Sequence, residues 1–231
     1  YSSDDNVTIH NNGTINNTLN YTILASGMDD LIINNNSSGT ISSSKSSTIY
    51  IRAPDGIRIN NYGTIQGNTY GTIHNDLAAP GDIYIHNEGT IKTNTEALGA
   101  CNAANLCRSA IGIYGGSGTT TIVNSGGTIK STVNSKAAIK VNDTANAIIT
   151  LDSGTLQSAG SSRDIYILDV GTETGTTINL GGSPTFTNGI DTNNTIVTIV
   201  LKNDISAAFS VYIYNSLSGL TITDNLPANY T

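Results

Sequence analysis

Asp29 and Asp30 are the first residues whose types and spacing could do chemistry. Two carboxylates that flank a glycosidic bond can cleave it as acid and base, or as acid and nucleophile. Neighbouring residues of a strand point to opposite faces, however, so adjacent Asp side chains do not converge on one bond. No second Asp pair follows at a regular spacing. The sequence therefore favours a turn here over the site of a polysaccharide-degrading enzyme.

Ser153 is the next candidate, because "LDSGT" at 151–155 partly resembles the serine-protease sequence G-D-S-G. A serine nucleophile needs a His and an acid held beside it. His10, His74 and His86 each fall in or just after a recurring motif, where they replace Asn. They are interpreted as surface positions of a repeat. We predict no catalytic residue, and we expect a protein that is not an enzyme.

Cys101 and Cys107 enclose only "NAANL". A pair this close can close a small loop as a disulfide, which fits an oxidising compartment, or remain as two free thiols. The spacing favours the disulfide. No C-x-x-C pair supports a metal site, and "YGGSGTTT" at 114–121 lacks the Asp of a calcium-binding turn. We therefore expect neither a metal nor a cofactor.

The composition excludes two classes of partner. The 231 residues have a net charge of -7, a pI of about 4.6 and only 12% charged residues. Nucleic acids and anionic membranes are bound through basic patches, which an acidic chain with scattered cations does not provide. No apolar run reaches the roughly 18 residues of a spanning helix. We expect no nucleic-acid binding and no membrane insertion of this segment.

A six-residue motif recurs along the chain, first as "NNGTIN" at 11–16 and later as "SSGTIS", "NYGTIQ", "NEGTIK" and "DSGTLQ". Its glycines are Gly13, Gly39, Gly63, Gly89, Gly127 and Gly154, with an extra copy at Gly71. The period is about 25 residues, which indicates a solenoid whose units bury their apolar faces against one another.

Each motif follows a short strand with period-2 alternation, as in "IYIHNEGTI" at 83–91. Asn tolerates left-handed backbone angles and Gly takes positive φ without steric cost, so the motif is interpreted as a bend between two strands. The third strand of each coil is predicted in "STIYIRA" at 47–53, "AAIKVND" at 137–143, "RDIYILDV" at 163–170 and "TTINLGG" at 176–182. Three short strands in about 25 residues predict an all-β fold, the parallel β-helix.

Some residues of these strands are expected to point outward. In "IYI", "IRI" and "IKV" the flanking aliphatic residues share a face, so the central residue lies on the other side. This places Tyr50, Arg58, Tyr84, Lys140 and Tyr166 on the surface. Because a Tyr ring offers a flat apolar face with a polar tip, Tyr50, Tyr84 and Tyr166, together with Arg58, are the candidate surface contacts.

The chain is interpreted as one β-helical unit over 1–231. Between Gly89 and Gly127 the glycine spacing lengthens, and the added residues coincide with the Ala-rich "NTEALGACNAANLCRSA". This predicts a surface excursion at 93–110, on what is often the binding face of a solenoid. A tolerated insertion without a role is the alternative. Over 183–231 the motif fades, which predicts less regular coils or a cap.

The N-x-G-T-I bends, the coil length, the low charge and the scarcity of cysteine resemble the passenger domains of Gram-negative autotransporters, the type V secretion family. The resemblance extends over most of 6–182 and more weakly to 231. It implies a single-stranded right-handed parallel β-helix, carried at the bacterial cell surface by an outer-membrane barrel beyond this sequence, or secreted. Cys101 and Cys107 depart from the pattern, since many passengers lack cysteine.

The resemblance also implies a function. Passengers of this family most often serve as adhesins or virulence factors, so the expected function is non-enzymatic attachment to a host cell through a surface protein or a glycan. A passenger that binds itself and promotes aggregation or biofilm is the alternative, with the chain a monomer or weakly self-associating. A polysaccharide-degrading β-helix enzyme is a further alternative, for which the sequence lacks clustered acids.

Overall fold

A computed structural model gives the architecture of the chain. It describes residues 6–27, 30–53, 55–68, 71–75, 81–93, 109–115, 118–134, 136–142, 146–168, 175–193, 197–202, 204–205, 209–214 and 220–224. These residues form 24 strands and no helix. Within them, accordingly, there is no helical segment that could cross a membrane.

The strands belong to three sheets. The first sheet contains β1 (Val7–Asn11), β4 (Asp30–Asn35), β7 (Gly56–Asn61), β10 (Asp82–Asn87), β13 (Thr119–Asn124), β16 (Asn146–Leu151), β19 (Thr176–Leu180), β22 (Val197–Leu201) and β24 (Leu220–Asp224). The second contains β2 (Thr14–Asn17), β5 (Thr40–Ser43), β8 (Thr64–Gly67), β11 (Thr90–Thr93), β14 (Thr128–Asn134), β17 (Thr155–Ala159) and β20 (Thr185–Phe186). The third contains β3 (Ile23–Ser26), β6 (Ile49–Ala53), β9 (Ile73–Asn75), β12 (Ile111–Ile113), β15 (Ile139–Asn142), β18 (Ile165–Leu168), β21 (Ile190–Asp191) and β23 (Ile213–Tyr214).

Successive coils pair in parallel throughout, which confirms the predicted parallel β-helix. From β1 to β21 each coil contributes a strand to the first, then the second, then the third sheet, and β22, β23 and β24 follow in the first, third and first sheets. Equivalent asparagines of the first sheet lie 24, 26, 26 and 37 residues apart. The longest step contains the predicted excursion at 93–110, of which 94–108, with Cys101 and Cys107, lie outside the described residues.

Columns of aliphatic side chains fill the core. In the third sheet one column is isoleucine on every strand: Ile23, Ile49, Ile73, Ile111, Ile139, Ile165, Ile190 and Ile213. The isoleucine of the motif forms another, in which Ile41, Ile65 and Ile91 are fully buried. β-Branched side chains suit this pleated, enclosed surface. The alternation read from the sequence therefore gives the core correctly.

The glycine of the motif lies where successive coils approach most closely. The Gly39 carbonyl accepts a hydrogen bond from the Thr64 N–H of the next coil, at 2.9 Å. A Cβ on Gly63 would collide with the carbonyl oxygens of Asn36 and Gly39 in the coil before it. Only a residue without a side chain fits between these backbones.

The expectation that this glycine supplies a positive φ is wrong for most copies of the motif. Among the described motif glycines only Gly154, with a φ of 88°, and the extra copy Gly71, with a φ of 104°, have a positive φ. Gly39, Gly63 and Gly89 have no positive φ, yet a Cβ on any of them would meet backbone oxygen of the preceding coil. The restriction there is space rather than backbone angle.

A ladder of buried asparagines joins the coils beside these glycines. Its members are the last residues of five successive strands of the first sheet: Asn11, Asn35, Asn61, Asn87 and Asn124. Each Nδ2 donates to the Oδ1 of the next asparagine at 2.8 Å. All five are at most 4% exposed, so water does not replace a lost partner. Leu151 takes the next position and ends the ladder.

One strand assignment made from the sequence is wrong. "TTINLGG" was expected in the third strand of a coil, but β19 lies in the first sheet, between β16 and β22. Gly181 and Gly182 form the bend here, and Gly182 has a positive φ of 56°. Because the bend after β19 lacks the G-T-I letters, the sequence did not indicate that β19 is the first strand of its coil. The second sheet continues only to β20 within the described residues, while the first continues to β24.

We predict that Gly63→Ala lowers the free energy of unfolding by about 1–3 kcal/mol, because the added Cβ overpacks against fixed backbone oxygens. Gly13→Ala is the matched control, since a Cβ on Gly13 has no atom within 4 Å. Urea unfolding followed by circular dichroism measures both. Equal losses in the two variants would contradict the role given to coil contact.

We predict that Asn61→Ala costs about 1–3 kcal/mol of stability, the cost of buried groups left without a partner. The change removes the donor to Asn87 Oδ1 and the acceptor of one Asn35 Nδ2 hydrogen bond. Asn60→Ala, at the adjacent half-buried outward position, should cost clearly less. The same unfolding curves test this, and a larger loss for Asn60→Ala would refute the ladder as the stabilising element.

Candidate functional site

Arg58 and Tyr84, two of the predicted surface contacts, touch on the outer side of the first sheet. They are paired in register on the neighbouring strands β7 and β10. The guanidinium carbon of Arg58 lies 4.2 Å from the centroid of the Tyr84 ring, which is cation–π geometry. Arg58 is exposed and Tyr84 is half-buried. The guanidinium thus covers part of the phenol ring.

A second row and the following bend extend this pair into a patch. Asn60 and His86 are paired in the next outward row, and His86 Nε2 lies 2.8 Å from Glu88 Oε1. The Tyr62 ring centroid is 6.0 Å from that of His86, and Tyr62 is 43% exposed. The first-sheet patch is defined as Arg58, Asn60, Tyr62, Tyr84, His86 and Glu88.

The patch combines a cation, a carboxylate, an amide, an imidazole and two phenol rings on two coils about 4.8 Å apart. Arg58 donates several N–H groups in a planar fork, Glu88 accepts, and Asn60 does both. Strands β7 and β10 are each paired on both sides, which holds these side chains on a rigid base. Little ordering is then needed when a ligand binds. Such a surface suits a polar ligand with an apolar face.

Tyr50 lies on the outer side of the third sheet, in a stack of rings. The Tyr21 ring lies 4.6 Å from it and the His74 ring 5.1 Å from it, centroid to centroid. Tyr114 then meets His74 edge-on at 4.8 Å and is only 2% exposed. Since rings in such a stack turn their faces to one another, Tyr50 presents an edge rather than a flat face outward.

Tyr166 follows in the same outward row of the third sheet, between Lys140 and Asp191. Lys140 Nζ lies 5.7 Å from the Tyr166 ring centroid, and Lys140 is only 6% exposed, so this predicted surface cation is covered. Burial, and then the negative charge of Asp191, raise the pKa of the Tyr166 phenol above its ordinary value. The four candidate contacts therefore fall on two sheets. Tyr50 and Tyr166 lie on the third sheet, whereas Arg58 and Tyr84 lie on the first.

The residues considered for catalysis lie apart. Asp30 begins β4, and Asp29 is outside the described residues. Ser153 lies in the bend after β16, where its carbonyl accepts from Asn124 Nδ2 at 3.3 Å, whereas His86 lies on β10, two strands away in the first sheet. Across the described ranges no three His, Cys, Asp or Glu side chains gather into a potential metal site.

Sequence reasoning missed Tyr62 and Glu88, although both occupy the variable position of the N-x-G-T-I motif. The signal was available: bends of successive coils stack, so variable residues one period apart become neighbours. Tyr62 and Glu88 are exposed on adjacent bends for this reason. The variable letter of a stacked motif is thus a surface position that each coil can use differently.

Comparisons with known proteins leave the fold and the patch as the basis for function. No family model, curated protein or solved structure matches the chain. The fold itself defines the class, a parallel β-solenoid with three strands to a coil. Because one fold serves many functions, the function has to be argued from the surface.

We predict that Tyr166 ionises later than an ordinary tyrosine in a spectrophotometric titration, because burial and Asp191 disfavour its phenolate. A raised folded-state pKa contributes stability that is present below the unfolded-state pKa of about 10 and is lost as pH rises through the folded value. Tyr166→Phe should remove the late step, and Asp191→Asn should move it to lower pH. If Asp191→Asn leaves the late step unchanged, the charge of Asp191 does not contribute to the raised pKa of Tyr166.

Proposed function

We propose that this chain is a non-enzymatic protein of a bacterial cell surface that attaches to host cells by binding a glycan through the first-sheet patch. The observation that supports it is the convergence of Arg58, Tyr62 and Glu88 with three further polar or aromatic side chains on two paired coils. The resemblance to autotransporter passengers supports the surface location. The rigid solenoid suits a protein that holds a binding face away from its cell.

A glycan suits the chemistry of the patch better than a nucleic acid or a lipid. Sugar hydroxyls both donate and accept, and the patch provides donors in Arg58 and Asn60 and acceptors in Glu88 and Asn60. The half-apolar faces of sugar rings match the exposed ring of Tyr62. One cation and one carboxylate leave the patch near neutral, which favours a neutral or weakly acidic glycan over a polyanion.

Binding without cleavage is proposed because glycoside hydrolysis usually needs two carboxyl groups flanking the bond. Within the patch Glu88 is the one carboxylate, and it is hydrogen-bonded to His86 at 2.8 Å. The proposed role of Glu88 is to accept hydrogen bonds from ligand hydroxyls. Glycans incubated with the protein should therefore keep their mass.

We predict that Arg58→Ala and Tyr62→Ala each weaken glycan binding at least about tenfold, equivalent to roughly 1.4 kcal/mol, as expected for central Arg and Tyr contacts. A glycan and matrix-protein panel probed with the purified chain identifies the ligand, and titration of the best binder gives its dissociation constant.

Tyr212→Ala is the matched control, since Tyr212 is a tyrosine at 70% exposure outside the patch. It should leave binding unchanged. If the chain binds a host protein but no glycan, and Arg58→Ala and Tyr62→Ala lose that binding, the ligand is a protein and the patch is still the binding site. Ligand binding that survives both patch variants, or no ligand at all, would refute the proposed function.

A further inference from the structure

The outer side of the second sheet presents two regular rows of polar side chains. One row is the motif threonine, which continues in register from Thr14 to Thr185. The other row lies two residues further along each strand and contains Asn16, Ser42, Gln66, Lys92, Lys130 and Gln157. Both rows alternate with buried residues along the strands, so their side chains point away from the core.

Two lysines are direct neighbours in the second row. Lys92 on β11 and Lys130 on β14 are paired in register, and both are half-buried. Like charges that face each other on adjacent strands destabilise a sheet. Gln66 and Gln157, on the strands before and after them, show that the row accepts an uncharged side chain of similar length. The fold alone therefore does not require lysine at either position.

No carboxylate compensates the two charges within the part of the chain that the structure describes. The strands of the second sheet contain no Asp or Glu. None of the ion pairs between described residues includes Lys92 or Lys130. Arg58 and Lys140, by contrast, each lie over a tyrosine ring of a neighbouring strand. The two lysines are thus a local concentration of positive charge on a chain with a net charge of -7.

We infer that Lys92 and Lys130, together with Thr90 and Thr128, bind the sulfate ester of a sulfated glycan. These four residues are defined as the lysine site. Thr90 and Thr128 are also paired in register, so the site is a rectangle of about 4.8 Å between strands and about 6.6 Å along each strand. A sulfate ester has three free oxygens, which can accept hydrogen bonds from the two ammonium groups and the two hydroxyls. A carboxylate offers only two oxygens to these donors.

A glycan suits the surroundings of the lysine site better than a membrane or a nucleic acid does. Next to the site the two rows continue as the hydroxyls of Thr64 and Thr155 and the amides of Gln66 and Gln157, which can bond to sugar hydroxyls. The rows present no apolar side chain that could insert between lipids. Nucleic acids are bound through many cations, whereas this site has two. One sulfate on an otherwise uncharged sugar matches it.

The lysine site is separate from the first-sheet patch, because it lies on β11 and β14 of the second sheet. The inference goes beyond the proposed function and does not rest on it. The two sites can therefore be tested independently with variants of the same chain.

A panel of oligosaccharides, each immobilised in an unsulfated and a singly sulfated form, tests the site by surface plasmon resonance with the purified chain. We expect the sulfated form of at least one pair to bind at least about tenfold more tightly, since the ester adds charge-assisted hydrogen bonds. Sodium sulfate should displace the chain more effectively than sodium chloride at equal ionic strength, because screening is then the same and only sulfate competes for the site.

The double variant Lys92→Gln with Lys130→Gln should abolish the preference for the sulfated form. Its fold should persist, because glutamine already occupies this row on both neighbouring strands, and loss of the repulsion should leave the free energy of unfolding unchanged or raise it. Lys45→Gln with Arg52→Gln is the matched control. It removes the same charge from two exposed positions outside the site and should keep the preference.

The inference is overturned if no pair shows a preference for sulfate, if the double lysine variant keeps the preference, or if the control loses it equally. Equal displacement by the two salts would indicate charge screening without a site and would also overturn it. Binding of phosphatidic acid vesicles but of no sulfated glycan would make the occupant a membrane and refute the inference. Arg58→Ala tests the patch separately, since it should weaken glycan binding without changing the ratio of affinities for the sulfated and unsulfated forms.

Discussion

The hydrogen bond from the N–H of each motif threonine to the carbonyl of the motif glycine one coil earlier sets the geometry of the whole molecule. It measures 2.7–2.9 Å from Thr40 to Thr185 along the second sheet. Bends held this close leave no space for a Cβ at Gly63 or Gly89, and they bring the amides of the asparagine ladder within bonding distance. The recurring letters are therefore the consequence of stacking, since each coil must fit the backbone before it.

The two ends of the described structure are held differently as a result. The asparagine ladder joins the coils from Asn11 to Asn124, where buried amides specify the register. On the next three strands the same position is leucine, at Leu151, Leu180 and Leu201, and apolar packing takes over. Apolar contact tolerates more variation in spacing than an amide ladder does. The G-T-I letters fade in these later coils, although a Cβ on Gly182 or Gly189 would still meet backbone oxygen of another coil.

The outer surface is free of this constraint, and its chemistry differs from coil to coil. On the first sheet the outward rows bring Arg58, Tyr84 and His86 together although they come from different coils. On the third sheet the rings of Tyr21 and Tyr50 stack on one another and so stabilise the wall itself. Predicted surface tyrosines can thus serve packing or binding, depending on whether the next coil supplies a ring, a cation or a small side chain.

The sequence by itself determined the period, the parallel coils and the inward isoleucines, because alternation and a recurring bend act along the chain and are visible in one sequence. The candidate site was half predicted: Arg58 and Tyr84 were named, whereas Tyr62 and the separation of Tyr50 from them were not. Only the tertiary structure decided which sheet β19 joins, why Gly63 must be glycine, and which rings keep an exposed face. These depend on neighbours one coil away, whose identity is set by stacking across bends of unequal length rather than by adjacency in the chain.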